Sequence, residues 1–410
     1  MNYQPTIGIE THIELKTNSK MFCRCKVVDT DEPNVSLCPT CLGLPGALPV
    51  PNKKAIEFIT LLALSTNCKI TKQGMFHRKN YFYPDLPKNY QISQFDLPVG
   101  LDGSLSIVLN EEESEVAIER VHMEEDTGKS THMGSGRIDS ATSTALDFNR
   151  SGVPLVEIVT KPVIKSAKEA VAYIEELRQL ALDLGISEGK LEKGNLRFDA
   201  NISVASSDSS VLGTKVEIKN MNSLRSLERA IDYEIERQSK ALSNGAVIVQ
   251  ETRHWDEGKE VTKSMRSKEG SADYRYFSDP DLPNMVLDDE FVDGIKAQMP
   301  KLPIEKRAEL IKTGLSLSEA NILSKSESWI IELFQNVFNT TNNPATTYNW
   351  IMGELQGQIR KLDISKKINF NLFPSRFENT YTKKIAVFQP VSLANKPEQF
   401  KQDFICKLSE

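Results

Sequence analysis

A chain of 410 residues is longer than one ordinary hydrophobic core supports, so two or three domains are expected. With 39% hydrophobic and 26% charged residues it has a globular composition, and no apolar run approaches the length of a membrane span. The N-terminus has neither the regions of a signal peptide nor the arginine bias of a transit peptide, which predicts a cytoplasmic protein.

The net charge of −6 argues against a general nucleic-acid binder. Residues 359–410 carry ten Lys/Arg against five Asp/Glu, whereas the preceding 358 residues hold 40 basic and 51 acidic side chains. A phosphate-rich partner would therefore be met by local basic patches or through metal ions.

Residues 1–160 are predicted to be rich in β-strands, apart from a helix at 51–64 that begins near Asn52. A capping box at Ser166 opens a second helix, which Gly185 ends, and a third helix covers about 222–242. Between these helices, residues 196–204 and 214–219 alternate like strands. Separate blocks of strands and helices predict an α+β fold. Short helices are expected over residues 295–360, with a domain boundary near 290–300.

The first predicted strand carries ionisable side chains at every second position. In residues 7–17, I-G-I-E-T-H-I-E-L-K-T, this period places Glu10, His12 and Glu14 on one face and the apolar side chains on the other. The segment therefore predicts an apolar face in the core and a polar face that could bind a ligand.

Further charged side chains lie on later predicted strands and in residues 121–130, V-H-M-E-E-D-T-G-K-S: Glu124, Glu125, Lys129, Asp199 and Glu217. Oxygen ligands from several strands are typical of magnesium bound beside phosphate oxygens, and Lys129 and Arg197 could neutralise those phosphates. The alternative is a solvated antiparallel sheet, in which charged and apolar residues also alternate.

Four of the six cysteines fall within nineteen residues. Cys23 and Cys25 form one close pair, and Cys38 and Cys41 form another twelve residues further on. Two close thiol pairs across a short loop predict a closed, tetrahedral zinc site in a cytoplasmic chain, although the first pair is C-x-C rather than C-x-x-C. The alternative is a set of reduced buried cysteines.

Two segments, 77–94 and 266–277, interleave cations with tyrosines and have no helical period. Such loops can stack on bases and contact phosphates, or they can be ordinary surface loops. ATP would bind without either of the usual glycine-rich loops, since neither motif is present. With Arg197 and Lys215 from the predicted strands, the candidate contacts to ATP or tRNA are Lys79, Tyr81, Lys88, Arg266, Lys268 and Arg275.

Taken together, these segments resemble the B subunits of the aspartyl/glutamyl-tRNA amidotransferases over about residues 5–355. The matching stretches occur in the expected order. They are I-G-I-E-T-H-I-E-L-K-T, C-P-T-C-L-G-L-P-G-A-L-P-V, R-K-N-Y-F-Y-P-D-L-P-K-N-Y-Q-I-S-Q, H-M-E-E-D-T-G-K-S, F-D-A-N-I-S-V, K-V-E-I-K-N-M-N-S and M-R-S-K-E-G-S-A-D-Y-R-Y-F.

The resemblance implies a cradle domain of the glutamine synthetase/guanidino kinase type over residues 1–293, with an antiparallel sheet and a zinc-binding insertion at about 20–45. A helical domain over residues 294–365 would follow. Glu10 and His12 would then be magnesium ligands at the kinase centre, Glu125 with its neighbour Glu124 would be their acidic partner, and further ligands would be Asp199 and Glu217.

The resemblance also implies the reaction of a ligase that uses glutamine as its amido donor. ATP and Mg²⁺ would serve to phosphorylate the side-chain carboxylate of misacylated Asp-tRNA(Asn) or Glu-tRNA(Gln), and ammonia would displace the phosphate. Because no amidase or glutaminase motif is visible, ammonia is expected from the glutaminase of a heterotrimer that also contains the A and C subunits.

Residues 366–410 lack the pattern of the family's helical tail, so a truncated or altered end with weak tRNA capture is expected. Two other classes of function stay open. The first is a zinc-containing RNA-binding subunit without catalytic activity, which ATP hydrolysis stimulated by misacylated tRNA would exclude. The second is a stand-alone glutamine-synthetase-like amide ligase, which phosphate release without tRNA would favour.

Overall fold

The computed structural model describes residues 3–134, 141–209, 211–265 and 274–357, and its main feature is a nine-stranded sheet. The strands follow the order β14 (Val261–Ser264), β13 (Glu251–Asp256), β12 (Val216–Lys219), β11 (Leu196–Ser206), β1 (Tyr3–Glu14), β10 (Pro154–Thr160), β7 (Glu112–Glu125), β6 (Gly100–Leu109) and β2 (Lys69–Ile70). β1 pairs antiparallel with both β10 and β11, whereas β12 and β13 pair in parallel. The predicted α+β class is confirmed, with one parallel pair in the expected antiparallel sheet.

β1 lies in the middle of this sheet and has the two faces that its sequence predicts. Ile7, Ile9 and Ile13 are fully buried in the main core, while Glu10 and His12 on the opposite face remain partly exposed. Because β1 is hydrogen-bonded on both edges, its polar side chains are held at fixed spacing beside those of its neighbours.

Three helices cover the apolar face: α1 (Lys53–Ser65), α2 (Ala167–Asp183) and α3 (Leu224–Ser243). Their predicted positions are confirmed, and the side chains of Asn52, Ser166 and Ser223 cap their first turns. The capping box at Ser166 is only half formed, since the carboxylate of Glu169 accepts from the backbone N–H of Lys165 instead.

Smaller sheets complete the first unit, which comprises residues 3–109 and 113–302 of the described chain. One joins β15 (Phe277–Ser278), β4 (His77–Asn80) and β5 (Tyr90–Ser93); a second pairs β16 (Met285–Val286) with β3 (Gln73–Gly74); a third pairs β8 (Lys129–Gly134) with β9 (Ala141–Asp147). A last helix, α4, spans Asp289–Lys296. In the sheet of β15, β4 and β5, side chains of β4 and β5 reach the polar face of the large sheet.

The second unit contains residues 110–112 and 303–357 of the described chain and is helical from Pro303 onward. Its elements are α5 (Pro303–Lys312), α6 (Leu317–Ser324), α7 (Ser328–Thr341), α8 (Pro344–Asn349) and a π-helical turn (Trp350–Leu355). They enclose a separate core around Phe334. The expectations about residues 366–410 lie outside the described residues. None of the helices in the described ranges is long and apolar enough to cross a membrane.

Candidate functional site

Two carboxylates and two imidazoles meet on the polar face of the large sheet. In the strand register, Glu157 of β10 lies opposite His12 of β1 on one side and opposite His122 of β7 on the other. Its Oε2 is 3.5 Å from Nε2 of His12 and 3.1 Å from Nε2 of His122. Glu124 approaches the same two rings, at 3.6 Å from His12 and 3.9 Å from His122. We call these four residues the histidine–glutamate cluster.

The small sheet of β15, β4 and β5 holds Glu124 from its other side. The hydroxyl of Ser93 donates to Glu124 at 3.0 Å, the amide of Gln91 at 3.3 Å and the ammonium of Lys79 at 3.4 Å. Only 3% of Glu124 is exposed. Because all three groups donate hydrogen bonds, the carboxylate of Glu124 is held in place as their common acceptor.

Burial opposes the charged form of every group here, and pairing outweighs it. The two carboxylates raise the pKa of His12 to about 10, and they raise the pKa of His122 as well. Lys79 and the imidazoles hold the pKa of Glu124 below its ordinary value, and the imidazoles do the same for Glu157. The charged forms of these groups therefore stabilise one another.

A second group of acids lies beside the first on the same face. Glu10 faces Asp199 across β1 and β11, and Glu217 follows on β12. The ammonium of Lys219 lies between the last two, 2.6 Å from Asp199 and 2.9 Å from Glu217. We call Glu10, Asp199, Glu217 and Lys219 the lysine–acid cluster.

The combined effect of burial and neighbouring charges raises the pKa of Glu10 and of Lys219 in this cluster and lowers that of Glu217. Burial, together with the charge of Glu157, raises the pKa of Glu10. Burial disfavours the charges of Lys219 and Glu217, but their contact outweighs it, so the pKa of Lys219 is raised and that of Glu217 is lowered. Lys219 therefore acts as an internal counterion for these acids.

Both clusters have the donors and the spacing of a metal site. Ligand atoms of His12, Glu124 and Glu157 lie within 4.8 Å of one another, and so do those of Glu10, Asp199 and Glu217. Carboxylate oxygens suit Mg²⁺ or Mn²⁺. The imidazole of His12 could join them as a ligand only after losing the proton that its neighbouring carboxylates favour, because a metal ligand must be deprotonated. The carboxylates of both clusters could therefore hold a divalent ion.

Glu125, the neighbour of Glu124, takes part in a separate contact. Its carboxylate accepts from the ammonium of Lys88 and, at 2.9 Å, from the backbone N–H of Ile92. Both charged side chains are nearly buried, with 8% of Lys88 and 4% of Glu125 exposed. The structure therefore brings Glu10, His12 and Glu124 together on the polar face and engages Glu125 with Lys88.

The remaining predicted cations and tyrosines are spread around this face. Arg197 is opposite His12 in the register but pairs with Asp126 at 2.8 Å. Lys129 is exposed at the start of β8, and Lys215 is exposed directly before β12. Tyr81 and Arg275 flank the sheet of β15, β4 and β5, where the ring of Tyr81 contacts Tyr274 at 6.0 Å. Arg266 and Lys268 lie outside the described residues.

The four predicted zinc ligands converge between β1 and α1. Sγ of Cys41 is 3.4 Å from that of Cys23, 3.6 Å from that of Cys38 and 3.7 Å from that of Cys25. A tetrahedral zinc site with Zn–S bonds of about 2.3 Å has sulfur–sulfur edges of about 3.8 Å, whereas a disulfide needs about 2.05 Å. The four sulfurs are therefore close enough to hold one metal ion such as zinc.

Sequence reasoning missed four side chains of the histidine–glutamate cluster and its surroundings: Glu157, His122, Gln91 and Ser93. One signal was available for Glu157, because it is the only charged residue in residues 153–160, V-P-L-V-E-I-V-T. A lone acid in an apolar, buried strand calls for a partner. The other residues are placed by strand pairing, which the sequence does not reveal.

Comparison with known proteins assigns the part of the chain that carries both clusters and the four cysteines to a class of catalytic domain. Residues 5–293, which include both clusters and the four cysteines, match the model of the GatB/GatE catalytic domain. The chain is 46% identical over 370 residues to the B subunit of the aspartyl/glutamyl-tRNA(Asn/Gln) amidotransferase of Crocosphaera subtropica, covering 88% of this chain and 74% of that protein.

Other bacterial B subunits show similar identity to this chain. Identity is 47% over 357 residues to the corresponding B subunit of Trichlorobacter lovleyi, with 87% of this chain and 74% of that protein covered. It is 45% over 386 residues to that of Thermotoga maritima, with 93% and 79% covered. The chain therefore belongs to the family of aspartyl/glutamyl-tRNA amidotransferase B subunits, as its motifs predicted.

Proposed function

We propose that the polar face of the large sheet activates the side-chain carboxylate of a misacylated tRNA, Asp-tRNA(Asn) or Glu-tRNA(Gln), with ATP. The observation that carries the proposal is the adjacency of the two clusters on one face. A nucleotide with several phosphates and a carboxylate acceptor bring much negative charge together, and this reaction needs metal and fixed cations more than a covalent nucleophile.

In this proposal His12, Glu124 and Glu157 hold one divalent ion, and Glu10, Asp199 and Glu217 form a second ligand set beside it. The bound ion would supply charge neutralisation for the phosphate oxygens. Glu124 is kept in position by Ser93, Gln91 and Lys79. The cluster is thus built before substrate arrives, which is what electrostatic preorganisation requires.

Cations around the face would orient the phosphates and the tRNA end. Lys79 lies over the ring of Tyr274 at 5.3 Å and beside Glu124, so it borders the proposed metal position. Arg197 belongs to β11, and Lys215 directly precedes β12. Lys129 remains a predicted catalytic cation. Tyr81, Lys88, Arg266, Lys268 and Arg275 remain predicted contacts to ATP or tRNA.

The proposed reaction has two balanced steps. An oxygen of the substrate carboxylate forms a bond to the γ-phosphorus of ATP, the bond to ADP breaks, and an acyl phosphate results. Ammonia then forms the carbon–nitrogen bond and loses a proton, while phosphate leaves. The products are Asn-tRNA(Asn) or Gln-tRNA(Gln), ADP and phosphate, which makes the protein part of a ligase that uses glutamine as its amido donor.

Partners follow from the same proposal. The relatives are named as the B subunits of their enzymes, which implies other subunits and tRNA. We propose a heterotrimer in which the A subunit releases ammonia from glutamine and the C subunit completes the assembly. The first unit would be the cradle domain and the helical unit would follow it, and the tRNA substrates would place the reaction in the cytoplasm.

The four cysteines are proposed to hold a structural Zn²⁺. All four positions of a tetrahedral site are supplied by protein sulfurs, which leaves no open position for catalysis. Residues 20–45 contain few regular elements, so the bound ion would supply much of their folding free energy.

The test is reconstitution with partner subunits and each misacylated tRNA, with and without ATP. Phosphate release and amide formation should both require ATP and the matching tRNA, and His12→Ala should abolish them. Glu119→Gln, an exposed acid on β7, is the matched control and should leave both unchanged. Phosphate release that ignores tRNA, or amidation without ATP, contradicts the proposal.

A further inference from the structure

Lys20 is a fully buried lysine beside the four cysteines. Its backbone is held on both sides, since its N–H donates to the carbonyl of Cys25 at 2.9 Å and its carbonyl accepts from the side chain of Asn52 at 3.2 Å. Lysine is almost never fully buried unless it is paired, so the burial of Lys20 needs a specific set of partners.

The ammonium group of Lys20 has three acceptors, one for each of its N–H bonds. Nζ of Lys20 lies 2.9 Å from the carbonyl oxygen of Ser36, 3.1 Å from that of Phe148 and 3.7 Å from Sγ of Cys41. An ammonium has three N–H donors and no acceptor. The two carbonyls alone would leave one buried N–H of the ammonium without an acceptor. The sulfur of Cys41 accepts this third hydrogen bond.

The charge of a metal bound to four thiolates explains why a cation belongs there. A divalent ion with four thiolates carries a net charge of −2, which is costly in a partly buried position unless it is compensated. The other cations of this loop, Arg24 and Lys26, are exposed. Lys20 instead donates to Cys41, the buried member of the four cysteines.

We propose that Lys20 is a positioning residue of the four-cysteine metal centre, where its ammonium donates to Cys41 and offsets part of the charge of the tetrathiolate. The proposal rests on the proposed metal at these cysteines. Outer partners of metal ligands orient the ligands and tune the metal. Through Ser36 and Phe148, the same ammonium also ties the cysteine loop to the end of β9.

The test compares substitutions in the full chain, with metal affinity and spectra as the readouts. Lys20→Met removes the donors and the charge, Lys20→Gln keeps donors without charge, and Lys26→Met removes an exposed charge from the same loop. Zn²⁺ affinity is measured by chelator competition. Co²⁺ loading reports the sulfur-to-metal charge-transfer band, and circular dichroism of each loaded protein confirms folding.

We expect Lys20→Met to weaken Zn²⁺ binding by roughly 10- to 100-fold, as for other outer partners of metal ligands. Lys20→Gln should lie between Lys20→Met and wild type, and Lys26→Met should match wild type. Because a nearby cation stabilises the sulfur lone pairs, both Lys20 variants should move the charge-transfer band to lower energy. A purely structural role in holding the loop would not move that band in a folded, loaded protein.

Two results would overturn the inference in different ways. If folded, loaded Lys20→Met binds Zn²⁺ as Lys26→Met does and its Co²⁺ band is unmoved, Lys20 has no such role and the metal centre stands. If the wild-type chain binds neither metal, the proposed metal centre itself is wrong and the role of Lys20 is lost with it.

Discussion

Glu157 and His12 face each other across adjacent strands, with Oε2 and Nε2 3.5 Å apart. The same carboxylate lies 3.1 Å from His122 on the other neighbouring strand. Glu157 thus joins three strands at the centre of the large sheet. Any ion held by His12 and Glu124 would lie beside this carboxylate, which makes Glu157 the most direct probe of the histidine–glutamate cluster.

Glu157→Gln should weaken binding of Mn²⁺, used as a probe for Mg²⁺, by at least about tenfold, because the variant keeps the shape and removes one anionic ligand. ATP-dependent activation should fall by roughly 100-fold or more. Titration by electron paramagnetic resonance and phosphate release measure the two effects. The exposed Glu119→Gln is the control, and equal Mn²⁺ binding in the two variants would remove Glu157 from the site.

The buried pair of Glu125 and Lys88 predicts strong coupling. Glu125→Gln and Lys88→Met should each lower the free energy of unfolding by about 3–5 kcal/mol, because each leaves an unpaired buried group. The double variant should lose clearly less than the sum of the two single losses. Denaturant unfolding of the four proteins gives the cycle, and simple additivity would show that the two side chains act independently.

The same variants separate two roles of Glu125. A magnesium ligand lost in Glu125→Gln lowers ATP-dependent activation by orders of magnitude. If Glu125 acts only through its partner, Lys88→Met should reduce activation as much. Glutamine hydrolysis by the proposed glutaminase partner should persist at its basal level in both variants. Wild-type amidation by Glu125→Gln would exclude Glu125 from the mechanism.

Lys219 occupies the position between acids where a metal would compete with it. Lys219→Met should therefore raise the affinity of the lysine–acid cluster for Mn²⁺ by about tenfold, since Asp199 and Glu217 lose their internal counterion. Lys215→Met is the matched control, because it removes the same charge from an exposed position directly before β12. A similar change in both variants would mean that general charge, and not the position of Lys219, controls the affinity.

One metal ion per chain is expected at the four cysteines. Elemental analysis should find it in the purified protein, and a strong chelator should lower the unfolding temperature by destabilising residues 20–45. Cys38→Ser should lose the ion, whereas Cys68→Ser, at a buried thiol outside the centre, should retain it. Protein that lacks metal and has four freely titrating thiols there would contradict the assignment.

Alternation and capping residues were enough to predict the two faces of β1 and the positions of the three covering helices. Local sequence determines those features, because side-chain period and N-cap chemistry act within a few residues. The pairing of Glu157 with His12 and His122 joins segments far apart in the chain and depends on strand order. The contact of Glu125 with Lys88 depends on how a separate small sheet packs, and no local pattern encodes it.

The position of Glu157 in β10 also has a consequence for how the chain folds. Its neighbours Val156 and Ile158 are fully buried in the main core. A shift of one residue in the pairing of β10 would turn Glu157 toward the helices and present Val156 or Ile158 to the imidazoles. An unpaired carboxylate in that core would cost on the order of several kcal/mol. The carboxylate proposed to hold a metal therefore also selects against misaligned pairings of β10 while the sheet assembles.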